Sequence, residues 1–579
     1  MSDVSSAYPS KIARESGHTL LQRIQVQKAA LSAYLLCGPA LIVLIFIYLG
    51  PIVQTLLRSF ATEGAWYENY ARLFSTEIYW QSFVITFRIS AIVTLVCLVL
   101  GYPVAIWLTR LTARRRAIAF AFILIPFWTS ALVRTYAWTV ILQKRGLINA
   151  TLKTLGLIDT PLTLSYTTLG TIIGNVHILL PAMILTLYAV LSRIDISLIN
   201  AARSLGARPV SAFLRIYLPL SLPAIIAGST LTFVASLGSY IIPALLGGRE
   251  DLFVAQLIDQ QVSKLLNVGF ASAIAMVLLV LCLILCVAYA RFMERGDRRS
   301  GANGALVVKS SGLGLPAYAA LVLLFLVLPT FVLIPLSFSS SRYLTFPPPG
   351  YSLQWYEAYL GNPAWMEATL RSLRIALAAA IGAALLGTLA SLGMSRMSRL
   401  SRYIFTGLML SPLLIPNIIF ALGLYQLYSA LGLIGTETGL ALAHMVLGLP
   451  YVIITVSAAL SARDHHLAAA ARSLGAGPAR VFRFIQFPLL RNAILAGGFL
   501  AFIASFDEVL IAIFISGART ATLPKMMWDG VTTEVNPTIS AVSVIVISIS
   551  LLAILLMNLI QAKHGIRRKG RACGGRLRV

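Results

Sequence analysis

Long apolar runs broken by short polar stretches dominate the chain. A helix rising 1.5 Å per residue needs about 20 apolar residues to cross a bilayer's hydrocarbon. Runs of that length predict six spans, near 32–57, 82–108, 118–142, 167–190, 220–246 and 268–292. A second six follow near 315–340, 367–393, 402–426, 438–461, 489–516 and 538–562. The first apolar run, from about Leu31, is too long for a signal-peptide core and reads as a retained span.

Basic residues orient these spans. Arg110, Arg114, Arg115 and Arg116 lie between spans two and three, and Arg396, Arg399 and Arg402 between eight and nine. Such short basic loops mark the cytoplasmic side. Both termini are then cytoplasmic, and the tail with Lys563, Arg567, Arg568, Lys569, Arg571, Arg576 and Arg578 agrees. The loop with Lys144, Arg145 and Lys153 falls outside against this rule.

The two sets of spans are copies. Ala201-Ala202-Arg203-Ser204-Leu205-Gly206-Ala207 returns letter for letter as Ala470 to Ala476, a shift of 269, which also pairs Pro209 with Pro478 and Pro219 with Pro488. Earlier positions pair at a shift of 286: Arg88 with Arg374, Gly101 with Gly387, Arg110 with Arg396 and Pro126 with Pro412. The 17-residue difference is a longer external loop in the first copy, around Lys144 to Thr163. Six spans per copy give both the same topology, hence parallel repeats. The expectation is an all-α polytopic membrane protein of twelve transmembrane helices in two six-helix repeats. Its segments are a cytoplasmic N-terminal stretch (1–31), a first half (32–292), a Gly/Ser-rich linker (293–314), a second half (315–562) and a basic tail (563–579).

Composition narrows the class. With 58% hydrophobic and 11% charged residues, against about 25% charged in a soluble domain, the lipid bilayer is the solvent. The net charge of +26 is spread over loops beside spans and does not indicate nucleic acid. Cys37, Cys97, Cys282 and Cys286 lie in apolar runs and Cys573 in the tail, a pattern that suggests neither metal nor disulfide. His177 and His444 sit at non-equivalent places on spans four and ten and read as core residues.

The repeated loops, about 193–219 and 462–488, carry the first functional signal. Leu198, Ala201, Ala202 and Leu205, and again Leu467, Ala470, Ala471 and Leu474, stand at i, i+3, i+4 and i+7, a short helix with one small apolar face. Gly206 and Gly475 are expected left-handed stops, and Pro209 and Pro478 the starts of new helices. Two readings are open: a connector packed on the protein's own spans, or a docking helix with Arg203 or Arg472 beside the alanines. The second signal is Asp507-Glu508, which stand in span eleven where span five has Gly238-Ser239. Intramembrane acids are costly unless paired or hydrated. The pair suits a cationic substrate, or else one acid caps a kinked helix or pairs with Arg134, Arg371 or Arg374. Phe127, Trp128, Tyr136, Trp138 and Tyr240 offer aromatic faces to an ammonium group.

The loop pattern resembles the cytoplasmic EAA loop of ATP-binding-cassette importer permeases. Ala201, Ala202, Gly206, Ile216, Leu218 and Pro219 meet it in the first copy; Ala470, Ala471, Gly475, Ile485 and Pro488 meet it in the second, with Phe487 in place of leucine. Asn200 and Ala469 stand where the family has its glutamate, which removes an acidic contact with the ATPase. Ile125 to Trp138, Gly156 to Leu162 and His177 to Pro223 resemble the first permease subunit of spermidine/putrescine importers; Tyr351 to Leu360, Ser411 to Leu424 and Ser505 to Pro537 resemble the second. Related permeases for ferric iron, opines and phosphonates share much of this pattern, and Ala244 replaces an acid usual before Gly247-Gly248. The resemblance implies a type I importer (MetI-like) permease fold in a bacterial inner membrane. It also implies docking of both loops on an ATP-binding subunit dimer, with ATP and Mg there, and delivery by a periplasmic solute-binding protein. No G-x-x-x-x-G-K-[ST] loop occurs in the chain, so a non-catalytic translocation subunit is expected. An ion-driven secondary transporter of two six-span halves is the rival class, with an exporter or channel-like component behind it.

Overall fold

The computed structural model describes residues 31–62, 64–195, 197–296, 314–343, 345–462, 466–533, 537–549 and 551–552. Among these residues the architecture is helical, apart from one isolated bridge between Ser339 and Tyr351. Nine described helices are long and apolar enough to cross a membrane, and two pairs bent at a short break raise the number to eleven. Thr538–Ile549 begins the twelfth expected span, whose residues 553–562 lie outside the described ones, as does the basic tail.

Four runs expected to be continuous are broken. Span three is Ala113–Trp128 followed by Ala131–Leu142, and span nine is Arg399–Leu410 with a 3-10 turn, then Asn417–Leu431; the two bends are 85° and 90°. Pro126 and Pro412 sit just before the equivalent breaks, and Pro416 forces its predecessor out of helical geometry. Span five is Leu218–Leu237 followed by Ile241–Leu246, and span eleven is Phe487–Phe506 followed by Leu510–Ile515. The interruptions there are Gly238-Ser239-Tyr240 and Asp507-Glu508-Val509, again at equivalent positions. Apolar periodicity carries across all four breaks, so hydropathy alone reads them as continuous.

The described chain falls into two compact units: residues up to Gly50 with Arg374–Leu413 and Ala441–Ser505, and Pro51–Leu373 with Leu414–Leu440 and Phe506 onward. In the first unit, span one packs on the second half's core. Cys37 donates to the Ala390 carbonyl (3.4 Å), Tyr34 meets Ser401 (3.2 Å), and a Cβ on Gly393 would strike Ala33 and Cys37 at 2.6 Å. In the second unit, span seven (Gly314–Ser337) packs reciprocally on the first half: Tyr318 donates to the Val99 carbonyl (3.0 Å), and Phe325 meets Trp138 and His177.

Within each half, glycines bring spans two, four and five together. Added Cβ atoms on Gly101 and Gly228 would both press on Met183, and on Gly387 and Gly497 both on Val452, the residue equivalent to Met183. Close approach of this kind holds helices together where lipid offers no hydrophobic drive.

Candidate translocation site and coupling loops

All four breaks belong to the second unit, and they meet in pairs. The break in span five abuts that in span nine, since a Cβ on Gly238 would stand 2.8 Å from Pro416. The break in span eleven abuts that in span three: Asp507 Oδ2 accepts from the Ala131 backbone N–H at 3.2 Å. These two junctions are equivalent under the repeat. At the first junction the small Gly238 lets the ring of Pro416 approach closely, whereas at the second the N–H of Ala131 is met by a carboxylate.

Asp507 therefore caps the helix Ala131–Leu142, a favourable place for negative charge. Its Oδ1 is buried and accepts no hydrogen bond, and the Arg134 charge acts on it from the first turn of the capped helix. Glu508 Oε1 accepts from the Ile511 N–H (3.1 Å), and its Oε2 accepts from Asn417 Nδ2 (3.3 Å) on the first residue after the break in span nine. Both acids remain partly exposed. The two carboxylates thus tie the break in span eleven to the helix starts that follow the breaks in spans three and nine.

The other residues singled out in the sequence are distributed more widely. Arg371 is held by Glu437 (3.3 Å) and the Ala521 carbonyl (3.0 Å) rather than by the Asp507-Glu508 pair. Tyr136 is fully buried with its hydroxyl 3.4 Å from Ser540, and Tyr240 donates to Asp259 (2.9 Å) while its ring meets Trp528 at 5.4 Å. Phe127 and Trp128 end the first segment of span three, and their side chains lie outside the described ones. His177 and His444 are core residues, bound to the Leu326 carbonyl (2.9 Å) and Ser505 (2.8 Å), and no metal-holding group occurs among the described residues. Asn417, Asp259 and Trp528 were not legible as site neighbours. For Asn417 the signal existed, because it is the partner of Ala131 at the shift of 286.

The repeated loops fold alike. Ser197–Ser204 and His466–Ser473 are helices; Gly206 and Gly475 follow with φ of 88° and 81°, and Pro209 and Pro478 open the next helices. Ala207 N–H reaches the Ala202 carbonyl and Ala476 N–H the Ala471 carbonyl, each at 3.0 Å, the pattern of a glycine-closed helix end. Both copies then pass through an equivalent π-helical turn, Phe213–Tyr217 and Phe482–Gln486. The apolar faces are uncovered: Leu205 is 89% and Leu474 88% exposed, with Ala201 and Ala470 also exposed. Among the described residues no other element covers Leu205 or Leu474, an exposure that suits a docking helix. The side chains of Ala469 and Arg472 lie outside the described ones. Asp195 accepts from the Ser197 N–H (2.8 Å) at the first helix's start, and this bond holds its carboxyl below the ordinary carboxylate value.

A family model described as a binding-protein-dependent transport system inner membrane component matches residues 98–295 and again 383–567. The spermidine/putrescine transport system permease protein PotB of Escherichia coli (strain K12) is 35% identical over 224 residues, 39% of this chain and 81% of that one. The corresponding PotC protein of Haemophilus influenzae is 31% identical over 249 residues, 43% of this chain and 96% of that one. The putrescine transport system permease protein PotI of E. coli K12 is 36% identical over 230 residues, 38% of this chain and 82% of that one. Each relative is nearly spanned by less than half of this chain, as a duplicated unit requires. With one matching region in each half of a helical, multi-span chain, the protein belongs to the binding-protein-dependent transport system inner membrane component family.

Proposed function

We propose that the chain is the fused permease of an ATP-binding-cassette importer, moving a small cationic solute, with polyamines such as spermidine and putrescine favoured, inward across the inner membrane. Both termini are cytoplasmic in this reading. The uncovered helices Ser197–Ser204 and His466–Ser473 dock on a dimer of separate ATP-binding subunits, where ATP and Mg are held. A periplasmic solute-binding protein delivers the solute on the other side. Rigid, glycine-closed docking helices joined directly to spans five and eleven would carry ATPase closure to the breaks at Gly238 and Asp507.

The observation that carries the cationic reading is the carboxylate pair at the junction of broken spans, in a chain similar to permeases named for spermidine and putrescine. Asp507 is partly offset by Arg134 and the helix start it caps, which leaves Glu508 as the principal recogniser of an ammonium group. The test is uptake of labelled spermidine and putrescine by vesicles holding the chain and its ATPase, with the cognate binding protein supplied. Saturable, ATP-dependent uptake is expected; uptake that persists without the ATPase under an ion gradient would overturn the importer reading.

One observation favours a second solute within the same importer class. Arg134 is buried, and its Nε and Nη1 have no hydrogen-bond partner, so a solute carrying an anionic group beside its amine, amino-acid-like or opine-like, would satisfy both charges. The ligand retained by the purified binding protein decides between them.

A further inference from the structure

Below the first coupling helix lies a cavity that shares no lining residue with the Asp507-Glu508 junction. The cytoplasmic end of span two contributes Ile106, Thr109 and Arg110; Leu191 ends span four; Ile199, Asn200 and Arg203 come from the coupling helix; Pro209, Phe213 and Tyr217 come from the π-helical start of span five. The helix Ser197–Ser204 thus has two faces. Leu198, Ala201 and Ala202 point to the docking side, while Ile199, Asn200 and Arg203 turn to the cavity.

The polar lining selects an anion. It holds two guanidinium groups and a carboxamide and no carboxylate. Neither Arg110 nor Arg203 forms an ion pair with a described residue. Asp195, the acid closest in sequence to the coupling helix, is engaged in capping it. Apart from Thr109, whose hydroxyl donates to the Ile106 carbonyl (2.7 Å), the remaining walls are apolar or aromatic, with Phe213 stacked on Tyr217 at 5.8 Å. Since Arg110 and Leu191 mark the ends of membrane spans, the cavity stands where lipid headgroups lie. Basic pockets between spans on this side hold anionic headgroups, and each surface arginine adds about a fivefold gain in attraction.

We infer that this cavity binds the phosphodiester headgroup of an anionic lipid of the cytoplasmic leaflet, bracing the first coupling helix against span two. The second loop keeps Arg396 and Arg472, but Ala468, Ala469 and Gln486 replace Ile199, Asn200 and Tyr217. The lipid site therefore belongs to the first loop, and makes one coupling arm sensitive to membrane composition.

The inference is tested on the purified full chain without its ATPase, so its failure leaves the importer reading untouched. Native mass spectrometry with added phosphatidylglycerol, phosphatidylcholine or inorganic phosphate is the measurement. One phosphatidylglycerol retained in preference to phosphatidylcholine is expected. Arg110→Gln and Arg203→Gln should each lower retention about fivefold, Asn200→Ala should lower it less, and the charge-matched single controls Arg480→Gln and Arg483→Gln should not lower it. Retention unchanged in the Arg110 and Arg203 variants, or equal retention of both lipids, would overturn the site. Displacement by inorganic phosphate at matched concentration would overturn the lipid as its occupant.

Discussion

The acids of span eleven perform different tasks despite being neighbours. Asp507 caps another helix and faces a buried arginine; Glu508 is bonded to its own helix start and to Asn417. Glu508→Gln keeps the size and the Ile511 contact but removes a charge-assisted interaction, so uptake of a cationic solute should fall by roughly tenfold or more with ATPase assembly intact. Unchanged transport kinetics would remove Glu508 from the pathway. Asp507→Asn leaves the buried Arg134 charge without its counter-charge, a change that costs several kcal/mol. Its melting temperature should drop more than that of Glu508→Gln, and adding Arg134→Gln should restore part of the loss. At Asp195 the lowered carboxyl value means that its contribution is present at neutral pH and lost as pH falls through and below the ordinary 3.8. Amides of Ser197–Ser204 should lose hydrogen-exchange protection in that range, and Asp195→Asn should abolish the pH dependence.

At the scale of elements, the coupling helices matter because they end abruptly. Gly206 and Gly475 hold φ of 88° and 81°, which proline, fixed near −65°, cannot adopt. Gly206→Pro or Gly475→Pro should let the ATPase turn over while uptake is lost, with membrane insertion normal; parallel ATPase and uptake assays on proteoliposomes measure this. Normal coupling in both variants would mean that these loops do not transmit motion. The left-handed stops, the proline starts and the small apolar face were all legible, because capping chemistry and helical periodicity are local properties of the chain. The breaks were legible only in part. Pro126, Pro412 and the odd Asp507-Glu508 pair mark them, yet an apolar stretch gives the same hydropathy whether straight or bent.

For the whole molecule, the packing crosses the repeat boundary. Span one sits on the second half's core and span seven on the first's, where Trp138, His177 and Phe325 form one ring cluster. A chain cut within the linker 293–314 should therefore give a functional transporter when both pieces are co-expressed. Each piece alone should aggregate or be degraded, because its core lacks the covering span; stable accumulation of either half alone would contradict the exchange. The sequence by itself determined the spans, the duplication, the shared topology, the repeated loops and the anomalous acids, since length, periodicity, charge and self-similarity are properties of the chain that need no partner. Only the tertiary structure decided that Leu205 and Leu474 stay exposed among the described residues. It also paired the Gly238 break with Pro416 and the Asp507 break with Ala131, because contacts between residues hundreds of positions apart depend on how helices bend and which spans change sides. Asp507 and Glu508, conspicuous in the sequence as charges without partners, are in the folded chain the caps and ties of three helix starts.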